Sequence, residues 1–71
     1  IYIVQVGAFS VKENAQKALK KAESLGYKGS IIEEDRLYKV RVKVITSDLR
    51  KDISKLKSHF GGVILIKRKD A

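Results

Sequence analysis

The chain predicts an α+β domain of order βαββαβ, in which one four-stranded antiparallel sheet carries both helices on a single face, the ferredoxin-like or RNP-like arrangement. Three observations lead there. Two runs alternate apolar and other residues in the manner of strands, with Tyr2, Val4 and Val6 in one and Tyr38, Val40 and Val42 in the other. Each run is followed by a segment whose apolar residues recur at steps of three and four, the period of an amphipathic helix. The two halves also echo each other. A shift of 36 residues carries Tyr2, Val4, Val6, Phe9 and Ser10 onto Tyr38, Val40, Val42, Ile45 and Thr46, and Gly26 onto Gly62.

Each element has its own signal. After the first strand, Ser10-Val11-Lys12-Glu13 fits a capping box, with Ser10 at the N-cap and Glu13 reaching back from the first turn. Val11, Ala15, Ala18, Leu19, Ala22 and Leu25 form the apolar face of the first helix, and Gly26 is its expected left-handed terminator. A second strand spans about Lys28 to Glu34, Asp35-Arg36 makes a tight hairpin turn, and a third strand runs from about Leu37 to Val44. Thr46, Ser47 or Asp48 caps a second helix with apolar face Leu49, Ile53, Leu56 and Phe60, which Gly61-Gly62 stops. Val63 to Lys67 supplies a short last strand. Right-handed crossovers then place strands one and three at the centre.

The 71 residues make one small domain, expected over residues 1–71. Such a chain buries only about 60% of its unfolded surface, too little to wall a deep active-site cavity. There is no Cys, and a single His cannot build a zinc site, so stability rests on packed regular elements and no cofactor is expected. No apolar run approaches the roughly 20 residues of a membrane span, so no membrane insertion is expected of this segment. The chain opens on Ile1, already within a strand, which suggests a piece excised from a larger protein. Sixteen Lys and Arg against eight Asp and Glu give a formal charge of +8, which favours polyanionic partners such as nucleic acid, anionic lipid or an acidic polysaccharide without choosing among them.

With both helices on one face, the other face of the sheet lies open. Unbroken alternation assigns Tyr2, Val4, Val6, Tyr38, Val40 and Val42 to the covered face. Ile3, Gln5 and Gly7, with Leu37, Lys39, Arg41 and Lys43, then fall on the open one, and hairpin pairing adds Ser30, Ile32 and Glu34. Aliphatics beside an amide and fixed positive charges suit a ligand that is part ring, part hydroxyl and part carboxylate. Gln both donates and accepts, and Arg grips a carboxylate through paired hydrogen bonds. The competing account is that these are ordinary exposed sheet residues.

The order VQVGAF (residues 4 to 9), NAQKALKKAESLGY (residues 14 to 27) and LYKVRV (residues 37 to 42) resembles the SPOR, or sporulation-related repeat, family over most of the chain. The resemblance implies the same fold and a non-catalytic domain that binds bacterial peptidoglycan, preferring glycan strands stripped of their stem peptides. It also implies attachment to an amidase, lytic enzyme or division protein, and a place outside the cytoplasm, at the wall, septum or spore envelope. In the family the glycan crosses the open face, and the first-strand Gln is a contact, here Gln5. The small residue between Gly7 and Phe9, often Ser, is Ala8. A third-strand position that can hold a sugar-stacking Trp is Leu37, and the basic residue two places on is Lys39 rather than Arg, with Arg41 placed to take over that role. An apolar last-strand contact aligns with Ile66, and Lys43-Val44 stands where the family often has Gly-Pro. The expected ligand-binding set is therefore Gln5, Gly7, Ala8, Ile32, Leu37, Lys39, Arg41 and Ile66, on a domain acting as a monomer.

The main rival is a single-stranded RNA-binding module of the RRM type, with the same topology and charge. Such modules stack bases on aromatic residues of their central strands, whereas Tyr2 and Tyr38 fall on the covered parity here. No specific nucleic acid is therefore expected as a partner, beyond weak binding from charge at low salt. A catalytic reading has little to stand on. His59 lies near the end of the second helix, where an imidazolium offsets the dipole. Glu33-Glu34-Asp35 reads as a solvated hairpin with basic neighbours rather than a cation site, and Glu33 and Glu34 point to opposite faces. No nucleophile-base pair or phosphate loop is present.

Overall fold

A computed structural model describes residues 1–68, with side chains through residue 66. The last three residues of the domain expected over 1–71 lie outside the described part. The order is β1 (Tyr2–Phe9), α1 (Lys12–Ser24), β2 (Lys28–Glu34), β3 (Leu37–Val44), α2 (Leu49–Phe60) and β4 (Ile64–Arg68). The four strands form one antiparallel sheet in the order β2-β3-β1-β4, so β1 and β3 are central as the crossover rule requires. The last strand begins one residue later than the sequence pattern placed it.

The core lies between the sheet and the helices. Val4, Val6, Val40, Val42 and Val44 from the two central strands meet Ala15, Ala18 and Ala22 of α1 and Leu56 of α2. Three alanines on one stripe let α1 approach the sheet closely, and branched valines fill the layer beneath it. Each fully buried Val or Leu contributes roughly 1.5–3 kcal/mol relative to exposure, so a handful of residues carries the domain. Leu56 is the one fully buried residue of α2, which rests on β1. Tyr2, Phe9, Tyr27, Tyr38, Leu49, Ile53 and Phe60 ring this cluster, half-buried.

The helix ends follow local rules in part. At the end of α1, the Tyr27 N–H donates to the Ala22 carbonyl and the Gly26 N–H to the Glu23 carbonyl, with Gly26 at φ +94°. That is a Schellman ending, and Gly adopts its left-handed residue without a steric penalty. The capping box at the start of α1 does not form. The helix begins one residue later, with extended Val11 at the N-cap, no side-chain cap, and the Val11 carbonyl accepting from the Asn14 and Ala15 N–H groups. β1 extends to Phe9, so the chain is still turning at Ser10 and Val11, and Val11 stays exposed rather than joining the apolar face. At α2 the N-cap is Asp48, whose own N–H donates to Thr46 Oγ1. The echo between the halves does not extend to packing, since Phe9 joins the core while its counterpart Ile45 is 76% exposed.

One irregularity changes the geometry of the open face. β1 pairs with β3 as Val4↔Val42 and Gln5↔Arg41, then resumes as Gly7↔Val40, Ala8↔Lys39 and Phe9↔Tyr38. A bulge at Val6-Gly7 consumes one residue, so two residues of β1 oppose one of β3 and the parity beyond reverses. A second shift lies between β1 and β4, where Ile3↔Lys67 is followed by Val4↔Leu65 and Ile66 is the extra residue.

Candidate functional site

The open face is built from the two central strands outward. Gln5 and Arg41 are directly paired, and the Arg41 Nε donates to Gln5 Oε1 at 3.3 Å. With its oxygen engaged, the Gln5 amide offers its two N–H donors outward. Ile32 lies opposite Lys39, Ser30 opposite Arg41, and Glu34 opposite Leu37, as the hairpin register predicts. That register is fixed by a two-residue turn in which Asp35 and Arg36 both adopt positive φ, 54° and 63°, the conformation that matches strand twist.

The bulge corrects one expectation and strengthens another. Unbroken alternation puts Gly7 on the open face. Instead Gly7 pairs with core-facing Val40, and a Cβ at Gly7 would lie 2.7 Å from the Phe9 ring on that covered side. Gly7 therefore clears space for Phe9 and is not part of the open surface. The same switch turns Ala8 outward, exposed and opposite Lys39. Gln5, Ala8, Ile32, Leu37, Lys39 and Arg41 thus share one face.

Ile66 joins them from the sheet edge. A shallow groove of about 430 Å³ crosses the open face, lined by Ile3, Ser30, Ile32, Arg41 and Ile66 and flanked by Lys28 and Lys43. Its floor is mostly aliphatic and its borders cationic. Lys28 and Lys43 face each other across β2 and β3. Alternation and hairpin pairing place Ile3, Ser30 and Lys43 on the open face without including them in the expected ligand-binding set, and Lys28 is in neither; its signal is the hairpin register, which pairs it with Lys43. Ile64, opposite Gln5 and 59% exposed, extends the apolar surface on the β4 side.

The charges are unevenly neutralised. Lys39 Nζ donates to Glu34 Oε1 at 2.7 Å and lies 3.5 Å from Asp35 Oδ2, and Arg41 Nη2 is 3.9 Å from the same Glu34 oxygen. The hydrogen bond from Lys39, and then its charge, hold the Glu34 carboxyl below its ordinary value; the same bond pushes the Lys39 ammonium up. Glu34 and Asp35 are thus spent on Lys39, and among the described residues no three acidic, His or Cys side chains gather to hold a cation. His59 lies exposed in the last turn of α2, where its backbone carbonyl accepts from Lys21 Nζ at 2.7 Å. Tyr2 and Tyr38 pack on the covered side, so the described open face of β1 and β3 offers no ring on which a base could stack.

Comparisons with known proteins meet this geometry. No curated protein matches the chain. The solution structure of the peptidoglycan binding domain of the B. subtilis cell wall lytic enzyme CwlC is similar, at 32% sequence identity and a TM-score of 0.67, over 96% of this chain and 89% of that one. The SPOR domain family matches residues 1–67. With the family matching nearly the full length and a relative 32% identical over 96% of the chain, the chain belongs to the SPOR domain family.

Proposed function

We propose that the domain is a peptidoglycan-binding module with no catalytic part of its own, which lays its open sheet face along glycan strands. The observation that carries this is the Gln5–Arg41 pair at an aliphatic groove bordered by Lys28 and Lys43, on the one face the helices leave bare. The family, and the peptidoglycan-binding title of its structural relative, supply the ligand class. The groove floor suits the apolar faces of sugar rings, and the outward Gln5 amide suits hydroxyl and N-acetyl oxygens. Lys28, Lys43, Lys39 and Arg41 suit the lactyl carboxylates that appear when stem peptides are removed.

A denuded strand is then an evenly spaced polyanion, while an intact strand carries peptides that crowd a flat sheet. Preference for denuded glycan follows from both sterics and charge. Single surface charge contacts contribute about 0.2–1 kcal/mol, so each site binds modestly and long repetitive strands raise the apparent affinity. In this reading a monomeric domain brings an attached hydrolase or division protein to sites of wall remodelling in a bacterium.

The test is co-sedimentation with purified sacculi, intact and amidase-stripped, at about 150 mM salt, with single-stranded RNA as competitor. Enrichment on stripped sacculi, lost in Gln5→Ala and Arg41→Ala and indifferent to RNA, supports the reading. Failure to bind either sacculus, or displacement by RNA at that salt, contradicts it.

A further inference from the structure

The two ends of the open face differ in a way that composition does not reveal. At the groove end, Lys28 and Lys43 are exposed and have no carboxylate within ion-pair distance among the described residues. At the hairpin end, Lys39 and Arg41 already share a carboxylate, that of Glu34, with Asp35 close behind. The cations of that pair are matched one for one by carboxylates, those of Glu34 and Asp35, although the domain as a whole is strongly basic.

The placement of Glu34 is not incidental to the fold. It is the last residue of β2, directly opposite Leu37, and the tight Asp35-Arg36 turn holds it on the open face one diagonal step from Lys39. Its neighbour Glu33 pairs with Tyr38 and so belongs to the other face. An incoming carboxylate that reaches for Lys39 and Arg41 meets an oxygen already there, 2.7 Å from one cation and 3.9 Å from the other.

Resting on the glycan reading above, we propose that Glu34 is a built-in counter-anion: it occupies the carboxylate-reading pair Lys39–Arg41, and an anionic ligand must displace it to bind. Glu34 then sets specificity. It weakens contacts that depend on charge alone and leaves untouched those made by Gln5, Ile32 and Leu37 with neutral parts of the ligand. Arg41 is held from two sides in the free domain, by Gln5 Oε1 and by Glu34, and ligand entry exchanges one of those partners. Such an arrangement favours exchange along a strand over permanent capture.

The experiment is calorimetric titration of the domain with two oligosaccharides of equal length, a denuded muramic-acid-containing glycan and a neutral N-acetylglucosamine oligomer. Wild type, Glu34→Gln and Glu33→Gln are compared, with thermal melts to show that each variant folds. Glu34→Gln is expected to bind the anionic glycan roughly threefold to tenfold more tightly and the neutral oligomer as wild type does. Glu33→Gln, which changes net charge equally on the other face, is expected to leave both unchanged. Binding by wild type with unchanged or weaker binding by Glu34→Gln overturns the proposal, because Glu34 then positions Lys39 and Arg41 instead of competing for them. Equal tightening by Glu33→Gln also overturns it, in favour of overall charge. Absence of binding by all three proteins contradicts the glycan reading itself.

Discussion

Phe9 lies beneath Gly7: a Cβ at Gly7 would come within 2.7 Å of one ring carbon and 2.8 Å of another. The bulge in β1 brings these two residues onto the covered side and turns Ala8, between them, toward the open one. A packing requirement at the strand-helix junction thereby decides which side chain reaches the open face.

Gly7→Ala is therefore expected to destabilise the domain by about 1–3 kcal/mol, the usual cost of overpacking, because Phe9 must leave its rotamer or β1 must shift. Chemical denaturation measures this directly. Ala8→Ser, on the exposed side of the same bulge, is expected to leave stability within about 0.5 kcal/mol.

The bulge also marks where the sequence could be read and where it could not. Period two assigned Val4, Val6, Val40 and Val42 to the core, and the hairpin register placed Ser30, Ile32 and Glu34 correctly, because one-sided burial penalises any slip. Gly7 was misplaced by carrying the same parity through residue 9. The sign of the break was present: Val4 and Val6 occupy even positions and Phe9 an odd one, so a core-directed Phe9 demands an extra residue between them. The Ser10–Glu13 motif failed for a different reason, since the pattern states what could cap a helix but not where the preceding strand releases the chain. The Glu34–Lys39–Arg41 cluster is legible only in the folded chain, because side-chain reach across a diagonal is not a property of spacing.

Tyr27 ties α2 to the start of β2 through its hydroxyl, which donates to Asp52 Oδ1 at 2.6 Å. Burial, and then this bond, push the Tyr27 hydroxyl from its ordinary 10.0 up to about 12. The same bond, with a second from Thr46, holds the Asp52 carboxyl below its ordinary 3.8. A raised Tyr value stabilises the fold fully below about pH 10 and is lost as pH rises through 12. A lowered Asp value stabilises it above the ordinary carboxylate range and is lost as pH falls through the depressed value. Tyr27→Phe keeps the ring under Lys55, whose Nζ is 5.4 Å from its centroid, but removes the bond. The expected cost is about 1–2 kcal/mol at neutral pH, shrinking toward acid and toward strong base. Thermal melts of both proteins from acid to alkaline pH check the sign at each end.

Arg36 holds φ +63° in the hairpin turn without being glycine. A left-handed residue with a Cβ costs roughly 1–2 kcal/mol, and glycine returns part of that as unfolded-state entropy. Arg36→Gly is expected to raise stability by about 0.5–1 kcal/mol, seen as a melting point a few degrees higher.

The most direct test of the open-face account is an amide chemical-shift map of the domain titrated with a denuded glycan oligomer. Perturbations are expected at Gln5, Ala8, Ile32, Leu37, Lys39, Arg41 and the groove residues Ile3 and Ser30, with α1 and α2 quiet. Shifts confined to the helices, or none at saturating oligomer, would contradict it.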